Sequence, residues 1–185
     1  MKTIVHQLST KSFYIPEWEI KHLFLGTFNP SGGETVKYYY GRPRNQTWNL
    51  VSKIFNDSLN PNSKDFFEKL KAHKIGCIDL IHSVTCPDGD ISNIIGHGYS
   101  DSKIINGSVK RVYNTEIILD LIRTNPNCTI YSTWGKGSTI KDWKKEIEKI
   151  KNITPLVSPS LVARVPAGVE KYEFMLSNWQ RLIQP

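Results

Sequence analysis

With 185 residues, 39% of them hydrophobic, the chain has the length of one domain and enough apolar content to hide roughly 70% of its unfolded surface, which excludes wholesale disorder. Lys and Arg outnumber Asp and Glu by 24 to 17, and the net charge of +7 suits a polyanionic partner without requiring one. Three cysteines, Cys77, Cys86 and Cys128, form no CxxC pair and leave one unpaired in any disulfide scheme, so a reducing compartment is expected and an all-cysteine metal site is excluded.

Met1 to Pro16 mixes polar and apolar residues, and no stretch approaches the length that spans a bilayer; a soluble, cytoplasmic protein with no membrane partner is expected. Short apolar runs at Ile20 to Leu25, Ile75 to Leu80, Thr129 to Ser132 and Ile153 to Val157 predict buried strands. Between and after them, spacings of three and four predict helices. They carry Trp48, Val51 and Phe55; Ile117, Ile118, Leu121 and Ile122; Ile140, Trp143, Ile147 and Ile150; and Val169, Tyr172, Leu176 and Trp179. Asn114 reads as a helix cap, and the basic run Lys141 to Lys151 as a solvated helix face.

Strands alternating with helices predict a three-layer α/β/α sandwich around a central, mainly parallel four-stranded sheet, all in one domain. In such sheets ligands bind beyond the carboxyl ends of the strands, so the loops after Leu25, Leu80, Thr133 and Val157 are the places to seek chemistry. The longer irregular stretches Gly26 to Gly41 and Cys86 to Gly107 are read as functional loops or lids.

The first of these loops reads Gly26-Thr27-Phe28-Asn29-Pro30, followed by Tyr38-Tyr39-Tyr40-Gly41-Arg42-Pro43-Arg44-Asn45 and a helix carrying Trp48. After the last strand comes Ser158-Pro159-Ser160-Leu161-Val162-Ala163-Arg164. In order and in strand context this pair of motifs resembles the uracil-DNA glycosylase superfamily. The nearest patterns are those of the mismatch-specific uracil/thymine and the hypoxanthine-DNA glycosylases.

The resemblance implies a metal-independent, cofactor-free, monomeric enzyme that flips a deaminated base out of DNA and hydrolyses its glycosidic bond. It implies that Asn29 holds the hydrolytic water and Asn45 assists at the base or sugar. Tyr40 would stack on the base, while Thr27 and Phe28 line its pocket. Ser158 and Ser160 would grip the phosphates, and Leu161 to Arg164 lie in the segment that fills the gap left in the duplex; by their charge, apart from the resemblance, Arg42, Arg44 and Arg164 are candidate backbone contacts. Where the fast uracil-specific branch has an aspartate and a histidine, this chain has Asn29 and Ser158, so slow turnover is expected. The bond to be broken passes through a cationic sugar and an anionic base. Oriented donors and a held water meet that need, although an amide cannot take a proton as a carboxylate does.

Other readings stand beside this one. Asn29-Pro30 with Gly32-Gly33 is also an ordinary turn, Asn45 a helix cap, and Trp48 scaffold. Gly135-Lys136-Gly137-Ser138 lacks the spacing of a triphosphate loop. His82 after Asp79, and the cluster Asp88, Asp90, His97 and Asp101, are compatible with a metal or an acid–base pair, but scattered carboxylates in a Gly-rich loop are read as solvated and no metal site is assigned. Lys110 and Arg111 are further candidate phosphate contacts. A DNA-binding module without efficient chemistry, or an enzyme acting on free nucleosides, would also suit this sequence.

Overall fold

Strands and helices alternate through the computed structural model, which describes residues 1–95, 104, 109–134 and 141–185. In chain order they are β1 (Lys2–Val5), β2 (His22–Gly26), α1 (Thr47–Phe55), α2 (Phe66–Ala72), β3 (Ile75–Asp79) and β4 (Ile81–Cys86). A 3-10 turn (Asp88–Asp90) then runs into α3 (Ile91–Ile95), followed by β5 (Lys110–Tyr113), α4 (Thr115–Thr124), β6 (Thr129–Ser132), α5 (Lys141–Lys149), β7 (Ile153–Pro155) and α6 (Lys171–Leu182). No helix among the described residues is long and apolar enough to cross a membrane.

The core is a four-stranded parallel sheet in the order β3-β2-β6-β7, with His22 opposite Ile75 on one side and Thr129 on the other. Alternation along the strands divides the interior. Phe24, Ile75, Cys77 and Tyr131 face a cluster that holds Trp48, Val51 and Phe55 of α1, Phe66 and Leu70 of α2, and Met175, Leu176 and Trp179 of α6. Leu23, Leu25, Ile78 and Ile130 face the other cluster, with Ile118 and Leu121 of α4 and Trp143 of α5. The expected α/β/α sandwich is therefore what the chain forms. Because β2 connects onward to β3 on one side while β6 connects to β7 on the other, the crevice between the carboxyl ends of β2 and β6 is a topological switch point.

A second, antiparallel sheet, β1-β4-β5, was not expected from the sequence. The chain leaves the parallel sheet at Leu80, whose N–H bonds Gly26 O at 2.8 Å, and Ile81 N–H then bonds Thr27 O at 3.1 Å. The apolar run read as ending at Leu80 thus continues as β4, in register with β1 through Ile4 and Val84. Within Cys86 to Gly107, the described part contains the 3-10 turn and α3. Val169 is exposed and precedes α6, so it does not belong to that helix's apolar stripe. Asn114 precedes α4 but makes no side-chain cap; its amide is used elsewhere, as described below. Lys144, Lys145 and Lys149 do point to solvent.

His22 carries a testable consequence for folding. It is 2% exposed, stacks on Tyr131 and meets Phe55 edge-on, and burial together with the Lys21 and His73 charges pushes its pKa down to about 4. Between the unfolded value near 6.5 and about 4, the unfolded chain binds the extra proton. The contribution is therefore full above pH ~6.5 and is lost as pH falls towards 4. After discounting for solvent relaxation the effect is about 2 kcal/mol. In urea denaturation, stability should fall between pH 7 and 4.5 by that much less in His22→Phe than in the wild type.

Candidate functional site

At the carboxyl end of β2 the chain runs through Thr27, Phe28, Asn29 and Pro30, all buried. An extension of β1 holds this loop. Gln7 N–H donates to Asn29 O at 2.8 Å, Ser31 N–H donates to Val5 O at 2.9 Å, and His6 forms an antiparallel bridge with Pro30. The ring of Phe28 packs edge-on against His6, and its carbonyl accepts from Arg42 Nη2 at 3.4 Å.

The Asn29 side chain meets a carboxylate supplied by the neighbouring strand. Asp79, the last residue of β3, is 2% exposed, and its Oδ2 accepts from Asn29 Nδ2 at 2.9 Å and lies 2.8 Å from His6 Nε2. The tautomer of His6 follows from its other nitrogen: Nδ1 accepts from Leu8 N–H at 3.1 Å, so the proton sits on Nε2 and is donated to Asp79. His6 is wholly buried among Tyr14, Phe28 and Tyr39. Asp79 Oδ1 lies over Gly26, where a Cβ would come within 2.1 Å of it and within 3.2 Å of Tyr40 Oη.

Tyr40 is 9% exposed and has a φ of 59°, a left-handed conformation uncommon for a bulky residue. Its hydroxyl is 3.4 Å from Thr133 Oγ1, and Thr133 N–H bonds Leu25 O, so the Tyr40 tip lies in the β2–β6 crevice. Beneath the site the polar chain continues. Asn114 Nδ2 donates to Asp79 O at 2.8 Å and to Tyr14 Oη at 2.7 Å. Tyr14 Oη in turn lies 3.2 Å from His82 Nδ1, and burial pushes the phenol up to about 12. It therefore stays protonated at neutral pH.

The second motif adjoins the first. Asn45 and Ser160 form an antiparallel bridge, Gln46 N–H donates to Pro159 O at 2.9 Å, and Leu161 N–H donates to Arg44 O at 3.1 Å. Asn45 Oδ1 accepts from Thr47 N–H, so its carbonyl oxygen secures the start of α1. Ser158 Oγ accepts from Ser160 N–H and Ser160 Oγ from Val162 N–H, which shapes the turn while leaving both hydroxyl protons able to donate. At its tip Leu161 is 44% and Val162 74% exposed, with Lys171 Nζ bonded to Leu161 O at 2.6 Å. Arg44 and Arg164 are exposed on the same segments.

A groove of about 1020 Å³ runs from Tyr40 and Arg42 past Asn45 and along α1, with Lys53 and Tyr172 on its walls. Thr27, Phe28, Asn29, Ser158 and Ser160 are not on those walls. The fold thus brings Thr27, Phe28, Asn29 and Tyr40 together at the ends of β2 and β6, and Arg44 and Asn45 together with Ser160 and Leu161 beside them. Arg42 links the two groups by reaching back to Phe28. Trp48 is scaffold, bonding Tyr39 O through Nε1. Arg111 is committed to Asp142 and to Ile104 O, away from this edge. Gly135 to Ser138, His97 and Asp101 lie outside the described residues.

His6, Asp79, Tyr14 and Asn114 were not identified as site residues from the sequence. Only Asp79 carried a usable signal, an acid closing an otherwise apolar strand. Neither protein-family models nor curated proteins give a match to this chain, so the chemistry of the site rests on its own geometry.

Proposed function

We propose that the protein is a metal-independent DNA-repair glycosylase that receives an extruded deaminated base, uracil or hypoxanthine, and hydrolyses its N-glycosidic bond. The observation that carries this reading is the buried Asn29 amide at the switch point. Its Nδ2 is committed to Asp79, which leaves Oδ1 as the atom of the amide able to accept from a water, and the Asn45–Ser160 bridge stands alongside. An oxygen so placed can accept from one water and aim it. The water oxygen bonds to C1′ as the C1′–N bond breaks, the bonding pair leaves with the base, and the proton lost by the water ends on the departed base or solvent. With no proton acceptor in the first motif, the rate rests on orientation and on stabilising the anionic base, and turnover is slow. Arg42, Arg44 and Arg164 supply phosphate contacts, with hydroxyls from Ser158 and Ser160.

Oligonucleotides containing uracil, hypoxanthine, xanthine or a mismatched thymine, incubated with excess enzyme and scored for alkali-labile sites, test the proposal. Cleavage of at least one, lost in Asn29→Ala, is expected; no cleavage of any would defeat it. The deep burial of Phe28 and Tyr40 favours one second reading, a module that binds damaged DNA without excising the base. That reading requires salt-sensitive affinity with no base release.

The exposed Leu161–Val162 tip suits an apolar wedge for the space an extruded base vacates. Leu161→Ser with Val162→Ser should lower base release from duplex DNA ~10-fold or more while changing single-strand release less than ~3-fold, since unstacking costs a few kcal/mol only in the duplex. Because both side chains are exposed, the melting temperature should not move.

A further inference from the structure

The carboxylate that the first motif lacks is present in space, delivered by β3. We propose that Asp79, clamped by His6, is the positioning residue for Asn29: it captures Nδ2 so that Oδ1 is presented to the attacking water. This inference rests on the glycosylase reading above.

Several observations converge on it. A primary amide can be turned end for end, and the two orientations differ only in what its nitrogen and oxygen meet. Reversal would set Asn29 Oδ1 against Asp79 Oδ2 at the 2.9 Å now occupied by a hydrogen bond, acceptor against acceptor in a buried site. One orientation is therefore imposed. Asp79 cannot turn away, because the same oxygen takes the His6 Nε2 proton and the other lies over Gly26, where no side chain stands. His6 cannot exchange tautomers without losing the Leu8 N–H bond to Nδ1. The chain of constraint runs from the backbone of Leu8 through His6 and Asp79 to the Asn29 amide, and each side chain in it is at least nine-tenths buried. A carboxylate closing a fully buried strand costs stability that an apolar residue would not, which is a reason to look for a task beyond folding.

Positioning and proton transfer make opposite predictions for the conservative variant. Asp79→Asn keeps an acceptor oxygen for both donors, so single-turnover base release should stay within ~5-fold of wild type. Asp79→Ala removes the acceptor and should lower kcat ~100-fold with KM within ~3-fold, in the range seen when a catalytic group loses its geometry. His6→Phe keeps the aromatic packing, removes one clamp and should cost ~10-fold. In an Asn29→Ala background, Asp79→Ala should add less than ~3-fold, because it acts through the residue already removed. Loss in Asp79→Asn equal to that in Asp79→Ala, or multiplying losses in the double variant, would overturn the proposal.

The Asn29 side-chain amide resonances provide a readout independent of activity. One proton should be protected from exchange in the wild type and in Asp79→Asn, and unprotected in Asp79→Ala and His6→Phe with the backbone spectrum preserved. Protection that persists in both of these variants would refute the positioning role even if no base is released. Absence of base release with the protection pattern intact would instead refute the glycosylase reading.

Discussion

Gly26→Ala is expected to lower stability by about 3 kcal/mol and base release by ~100-fold, since a Cβ there meets a closer neighbour than at any other described glycine. The cause is steric. The added Cβ would meet Asp79 Oδ1 at 2.1 Å and Tyr40 Oη at 3.2 Å. A surface carboxylate would swing aside, but Asp79 is held through Oδ2 by His6 and Asn29 and through its carbonyl by Asn114. The backbone of residue 26 cannot retreat either, because its carbonyl accepts from Leu80 N–H at the point where the chain passes from one sheet to the other. Either the polar cluster or the strand junction must give way. Gly89→Ala is the matched control: a Cβ there meets nothing within 4 Å, and neither stability in urea nor base release should change measurably.

Asn29→Asp should be less active than the wild type, by ~10-fold to ~100-fold at neutral pH, although it installs a group able to take a proton. The new carboxylate would stand about 2.9 Å from Asp79 Oδ2, where the amide now donates, and two like charges so close cannot both remain ionised in a buried site. Leaving one uncompensated costs on the order of 3–5 kcal/mol unless a proton is shared between them. Folding would then be linked to proton uptake. The folded pair holds a proton that the separate unfolded carboxyls release above pH ~4, so the stability of Asn29→Asp relative to the wild type falls as pH rises. Asp79→Asn added to Asn29→Asp removes the repulsion and should recover stability at pH 8. Chemical denaturation of the wild type, each single variant and the double variant between pH 5 and 8 checks the sign and the rescue.

Much of the architecture was legible because buried parallel strands are continuous apolar runs and the helices that cover them are amphipathic. Thr129–Ser132 was read with its observed bounds, and Ile75 to Leu80 ran one residue past β3. The antiparallel sheet escaped for physical reasons. β1 buries only Ile4, β5 alternates exposed and half-buried residues, and β4 follows β3 after the single residue Leu80, so that no turn signal marks the start of a further strand beyond the run Ile75 to Leu80. Asn29, Tyr40, Asn45 and Ser160 stood out in the sequence only through the resemblance that the two motifs carry together; taken singly, Asn29 also reads as a turn residue and Asn45 as a helix cap. Their partners did not stand out. His6 matters only because the β1 extension crosses the Asn29 loop, and Asn114 only because its amide reaches Asp79 and Tyr14 instead of capping α4. Such roles are set by tertiary pairing and leave no local pattern.

Titrating isotope-labelled protein with a duplex carrying a stable abasic-site analogue, and following the backbone amide resonances, tests most directly whether the two motif segments share one DNA-binding face. Saturable shifts concentrated at residues 26–29, 40–45 and 158–164, absent with an undamaged duplex at the same salt concentration, are predicted. Shifts confined to the basic face of α5 or to β5, or equal for damaged and undamaged DNA, would contradict the account.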